Sequence, residues 1–147
     1  MLLEACPGFE PKCKDHLEWW AGEQRGIYND TAEFATYIIE SYANHQTAEF
    51  GRAFAVIEKL LVEGDENTRA AASVGALESI QVQSTHHPFG PDAFLPWLGP
   101  KSREAWNSIG ELWKAGGGSL AGVVRLERDL AGGRVGGPVR WWQFWRR

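Results

Sequence analysis

Residues 64–81 constrain the fold of this chain more than any other stretch: Gly-Asp-Glu-Asn-Thr-Arg-Ala-Ala-Ala-Ser-Val-Gly-Ala-Leu-Glu-Ser-Ile-Gln. Gly64 closes an apolar periodicity, as a residue just past a helix end does. Asp65 follows at once and is an N-cap type, whose side-chain oxygen satisfies an orphan N–H of the next helix. Ala71, Val74, Ala76, Leu77 and Ile80 then supply buried positions. Gly75 stands among them, although a glycine inside a helix costs about 1 kcal/mol relative to Ala. A close helix–helix contact accounts for that cost. The Gly64-Asp65 connection is so short that the helices on either side must be antiparallel neighbours.

The rest of the chain reads the same way. Phe50, Ala53, Phe54, Ile57, Leu60 and Leu61 form an i, i+3, i+4, i+7 stripe, with Thr47 as its cap and Glu49 in its first turn. Asp30 and Glu33 have the spacing of a capping box ahead of Phe34, Tyr37, Ile38 and Tyr42. A first helix starts near Pro11 and runs through Leu17, Trp19 and Trp20, after an opening segment broken at Pro7-Gly8 and before a loop over 21–29. Residues 84–100 are rich in turn formers, with room for a short helical turn from Asp92. Pro100 opens a helix through Ala105, Trp106, Ile109, Leu112 and Trp113 that Gly116-Gly117-Gly118 terminates, and a last helix spans Leu120 to Leu130. No strand pattern of convincing length occurs. The expectation is an all-α fold, an irregular bundle of five or six helices over residues 1–131. Residues 132–147 follow as a flexible Gly-rich linker and a Trp/Arg-rich tail.

A chain of 147 residues is long enough for one ordinary core without metals or disulfides. Its net charge of −4 hides an asymmetry: residues 1–100 carry 6 Lys+Arg against 15 Asp+Glu, and residues 101–147 carry 9 against 4. The acidic body argues against nucleic acid, whose phosphates need clustered Lys and Arg, and suits a basic protein partner. The opening residues have neither the basic region nor the apolar run of a secretory signal. No apolar run approaches the roughly 20 residues that span a bilayer. The expected address is the cytoplasm, where Cys6 and Cys13 are free thiols.

The residues offer little chemistry. His86-His87, with Asp92 nearby, is the one histidine pair, but a metal site needs three or four ligands at suitable spacing. Cys6 and Cys13 form neither a CxxC pair nor a zinc knuckle, and His16 and Asp15 sit near Cys13 without a nucleophile signature. Glu58 and Glu78 lie in apolar contexts on neighbouring helices. A structural role as acceptors for Arg52, Arg69, Arg103 or an uncapped backbone explains them better than acid–base work. Phosphate-binding glycine loops and nucleophile elbows are absent. No catalytic, cofactor-binding or metal residue is assigned.

Two features point to partners instead. Glu63, Asp65 and Glu66 crowd one helix turn and suit the rim of an interface. Trp141, Trp142, Phe144 and Trp145, flanked by Arg140, Arg146 and Arg147, make a cationic aromatic segment. Such a segment anchors in a partner's groove, lies at a membrane surface, or folds back on its own domain or on a second copy.

The segments 2–9, 34–39, 54–66, 74–81 and 98–106, in that order, resemble a family of small bacterial helical domains of unknown function. Residues 47–82 are similar to the helix pairs of HEAT-type scaffolds. The resemblance covers about residues 2–115 and implies an all-helical domain. It carries no activity; small helical proteins of this kind serve as immunity or adaptor proteins, an analogy of fold alone. The expected function is therefore a noncatalytic cytoplasmic protein-binding module. The alternatives are a peripheral membrane protein held by its tail and a small metal-dependent hydrolase.

Overall fold

The computed structural model describes residues 1–21 and 26–115. Over these residues the chain is all-α, with no strand. Seven helices follow in order: α1 (Leu2–Ala5), α2 (Glu10–Trp19), α3 (Ile27–Ala43), α4 (Phe50–Glu63), α5 (Glu66–Ala70), α6 (Glu78–Ser84) and α7 (Pro100–Lys114). A 3-10 turn, Pro7–Phe9, joins α1 to α2, and a 3-10 segment, Pro91–Trp97, precedes α7. A π-helical stretch, Ala71–Leu77, runs from α5 into α6 without a break, since the flanking residues keep right-handed helical angles. The expected last helix, the linker and the tail lie outside the described residues. Among the described residues, no helix is long and apolar enough to cross a membrane.

The core sits where the expected apolar faces meet. Phe34, Ile38, Ala53, Phe54, Leu77 and Ile80 are fully buried, with Phe50, Ile57 and Ile109 nearly so. Asp65 caps α5 as its position requires, accepting the Thr68 N–H at 2.8 Å. The small-residue face beyond it packs most extensively on α3, and less extensively on α4. Gly75 shows why: a Cβ there would collide with the Thr31 hydroxyl of α3 and lie 3.0 Å from the Thr31 Cβ. The close contact that the glycine implied is thus made with α3, two helices back, rather than with the helix just before it. The π geometry buries six of the seven residues Ala71–Leu77, all but Ser73.

Several helix ends differ from expectation. Helix α3 begins at Ile27 with Gly26 as N-cap, so Asp30 lies inside the first turn rather than capping it. Asp30 is buried, and its carboxylate meets the His16 ring Nε2 of α2 at 3.0 Å. Helix α4 has no side-chain cap; the Thr47 carbonyl, not its hydroxyl, accepts from the Phe50 N–H at 3.1 Å. The Glu49 carboxylate reaches away from α4, accepting the Gly8 N–H at 3.3 Å and the Tyr37 hydroxyl at 2.7 Å. It ties the opening segment to α3 and α4. That segment is ordered as helix and 3-10 turn because Cys6 and Phe9 are buried in the core, while Pro7 occupies a first-turn position that needs no N–H.

The Pro-rich stretch 84–100 is likewise structural. Phe94 is fully buried, and Tyr42 packs against Phe89 and Phe94 at ring-centroid distances of 4.6 and 5.1 Å. Trp97 meets Phe50 edge-on at 5.0 Å. These geometries suit the quadrupoles of aromatic rings and fasten the 3-10 segment over the start of α4.

Candidate interaction site

Helix α7 positions the candidate site, and Glu58 of α4 positions α7. Pro100 stands in the first turn of α7, where a missing N–H costs nothing. The orphan donors behind it are taken up by one carboxylate. Glu58 accepts the Lys101 N–H at 2.8 Å, the Ser102 N–H at 2.7 Å and the Ser102 hydroxyl at 2.6 Å. Burial pushes the Glu58 carboxyl up, but these hydrogen bonds and the nearby Lys101 charge outweigh it and hold the group below its ordinary range. Gly99 makes room for the carboxylate, since a Cβ there would lie 2.6 Å from the Glu58 carboxyl carbon. The uncapped backbone is therefore the partner of Glu58. The arginines are not: Arg52 lies 3.9 Å from Glu49, and the Arg103 guanidinium donates to the Leu95 carbonyl at 2.8 Å. Glu78 is buried at the start of α6.

Beyond this lock, α7 runs past the core. Trp106 and Ile109 are buried, whereas Leu112 and Trp113 are each 40% exposed. The sequence places all four on one helix without separating core from surface. The last turn lines a groove of about 630 Å³. Val82 and Gln81 of α6 line one side, Pro91, Asp92 and Leu95 the second, and Trp106, Gly110, Glu111, Trp113 and Lys114 of α7 the third. Its surface is mostly apolar with acidic and basic edges. Gln81 crosses to α7, where its Nε2 donates to the Trp106 carbonyl at 3.3 Å. The other end of that amide, Oε1, is buried and meets no donor among the described residues. A buried acceptor left so costs about 1–3 kcal/mol, which makes it a notable feature at a groove.

A second groove, about 570 Å³, opens between α2 and α3 beside Trp19, Trp20, His16 and Glu33. Trp19 is 84% exposed. This groove is more polar: Lys12 pairs with Glu33 at 3.3 Å and Glu40 at 3.0 Å, and the His16 ring meets the Asp30 carboxylate. Both carboxylates favour the charged ammonium and outweigh its partial burial, so the Lys12 pKa is raised. His16 takes its carboxylate from Asp30, not from its sequence neighbour Asp15.

The remaining sequence candidates are dispersed. Glu63 is exposed beside Lys59, with N···O 3.8 Å, and Glu66 is exposed in the first turn of α5. Asp65 is occupied as a cap, so of the acidic trio it alone has a structural duty. His87 stacks on Phe89 at 4.9 Å, and among the described residues no three His, Cys, Asp or Glu side chains converge as a metal site. Cys6 and Cys13 are buried and are not joined in a disulfide. Burial, and then the Glu49 charge, push the Cys6 thiol up to about 12, far from a nucleophile's range. Trp141, Trp142, Phe144, Trp145 and Arg146 lie outside the described residues. The groove residues Gln81, Val82, Pro91 and Leu95 carry no sequence signal of a site. The one hint is that Trp113 stands three residues before a glycine run, where a helix ends.

Compared with known proteins, the chain matches over residues 1–114 the family described as domain of unknown function DUF7674, and it belongs to that family. No curated protein matches it. No solved structure matches it.

Proposed function

For this member of a family of unknown function, we propose a noncatalytic protein-binding role, of the immunity or adaptor type and in the cytoplasm. The docking site is the groove between α6, the 3-10 segment and α7. The observation that carries this reading is the exposure of Trp113 at an apolar groove whose lining also includes the buried Trp106. Trp and Arg dominate interface energetics, and a central aromatic in a pocket is the usual anchor. Exposed apolar surface rimmed by polar groups is the commonest mark of a contact site. Residues 1–115 carry 9 Lys+Arg against 17 Asp+Glu, and that balance would steer a basic partner to the groove. Glu63 and Glu66, exposed on the α4–α5 turn, add to that field. Support for a noncatalytic role comes from the structural duties of two acids, the partly buried Glu58 holding the start of α7 and the buried Asp30 meeting His16.

The test is affinity capture from a lysate of the source organism, using full-length wild type beside full-length Trp113→Glu. Circular dichroism establishes that both are folded. The expected result is one protein recovered near stoichiometric amount with wild type and at least about tenfold less with the variant. Equal recovery with both, or none with either, rejects the groove as the docking site. Flotation of both proteins with anionic vesicles, and no protein partner, would transfer the role to a membrane surface.

A further inference from the structure

The geometry points to the chain's own C-terminal segment, residues 140–147, as the resident occupant of the α6–α7 groove, held there until a partner displaces it. This rests on the reading of the groove as a docking site and adds how that site is regulated.

The first argument is where the chain leaves the domain. Helix α7 ends at Lys114, which lines the groove together with Trp113. Residues 116–139 connect it to the segment, and 24 residues can span up to about 80 Å. The return path to a groove beside Ala115 is far shorter than that limit. A tether of this kind sets an effective concentration on the order of millimolar, so even a weak contact is populated in cis.

The second argument is chemical fit. The segment Arg-Trp-Trp-Gln-Phe-Trp-Arg-Arg has four aromatic rings and three guanidinium groups. The groove offers an exposed indole face at Trp113, apolar walls at Val82 and Leu95, and carboxylates at Asp92 and Glu111. Aromatic rings cover the walls, and guanidinium groups meet the carboxylates or stack on the Trp113 face. Gln81, whose Oε1 meets no donor among the described residues, belongs to the groove wall and is an acceptor for an indole or guanidinium N–H.

The third argument is charge at larger scale. Residues 1–115 have a balance of −8, and residues 116–147 have 6 Lys+Arg against 2 Asp+Glu, a balance of +4. The two parts of the chain attract each other, most strongly at low salt. The α2–α3 groove is the weaker host for aromatic rings, because a larger share of its surface is polar. The predicted consequence is competition: a partner presenting basic and aromatic side chains must displace the chain's own.

The experiment uses full-length protein throughout. A synthetic peptide of residues 138–147 is titrated calorimetrically into wild type, into the tail variant Trp141→Ala/Trp142→Ala/Trp145→Ala, and into that variant carrying Trp113→Ala and Leu95→Ala as well. The expected result is binding to the tail variant at least about tenfold tighter than to wild type, with loss of binding when the two groove positions are also changed. In nitrogen-15 spectra, the Trp106 and Trp113 indole signals should move between wild type and tail variant, independently of protein concentration. Equal peptide affinity for wild type and tail variant overturns cis occupancy while leaving the groove reading intact. Binding that survives the groove substitutions, or no binding at all, overturns the assignment of this segment to this groove. Capture of a partner that depends on Trp113 would still support the groove as a docking site. Spectral changes that appear only with concentration-dependent dimerisation in light scattering replace the cis occupant with a second copy and overturn the proposal as stated.

Discussion

Trp106 and Trp113 stand about two turns apart on the same face of α7, yet the first is 3% exposed and the second 40% exposed. The residue type, the helix and the face are shared. What differs is the company across from them. Over its buried length α7 meets α4, the π stretch and α6, and Glu58 fixes its start. The last turn lines the groove together with α6 and the 3-10 segment. Helical periodicity sets the direction a side chain takes, and the reach of neighbouring elements sets whether anything is there to bury it. A continuous apolar stripe can therefore pass from core to binding surface without a change of pattern.

The sharpest way to break this contrast is to truncate both indoles. Trp106→Ala should destabilise the protein by about 3–5 kcal/mol in chemical denaturation, through lost burial and the cavity left behind. A cost under about 1 kcal/mol would mean that the Trp106 end of α7 is no better packed than its tip. Closer to the centre of the packing, Gly75→Ala should cost about 2 kcal/mol, because its methyl group meets the Thr31 side chain. Gly110→Ala, on the groove side of α7, is its control. There the new Cβ lies 3.5 Å from Gln81 Nε2, an ordinary contact, and the change should be neutral or stabilising. The reverse order in melting experiments would place the tight contact on the wrong helix.

The lock at the start of α7 is expected to be worth somewhat less. Glu58→Gln keeps an acceptor but removes the charge, and should cost about 1.5 kcal/mol at neutral pH. The pH dependence carries its own sign. Because the Glu58 carboxyl is held below its ordinary value of 4.5, its contribution is present above that value and lost as pH falls through the folded-state pKa. The difference in stability between wild type and Glu58→Gln should therefore shrink on acidification below about pH 4.5. A difference that stays constant down to pH 3 would mean that the charge is not what holds the helix start. The smallest effect belongs to Trp113→Ala, about 0.5 kcal/mol or less on stability, as for an exposed site away from special contacts. Its consequences should lie in binding.

Much of the helical plan was legible beforehand. The stripes of α3 and α4 and the Gly64-Asp65 stop and start depend on nearest neighbours along the chain, and they stand where the pattern puts them. Partner choice was less so. Gly75 announced a close contact, but nothing in its own stretch names Thr31, 44 residues earlier, as the group it meets. Asp30 shows the limit of a local rule. The capping-box spacing was correct in form, yet Gly26 starts the helix and Asp30 is drawn to His16 of α2, a contact local preference cannot contain. For the groove, legibility was lowest. Gln81, Val82, Pro91 and Leu95 are ordinary residues that form a wall only because the fold brings α6, the 3-10 segment and α7 around one groove.

By itself the sequence determined that this chain would be helical, where its helices would break, and which faces would turn inward. Those outcomes follow from backbone propensity, capping chemistry and periodicity, which act over a few residues. Tertiary structure alone decided that Glu58 would hold the start of α7, that α3 would be the partner of the Gly75 face, and that Trp113 would remain open where Trp106 is closed. Those outcomes depend on how far rigid helices extend past one another, and that distance is a property of the assembled molecule rather than of any segment in it.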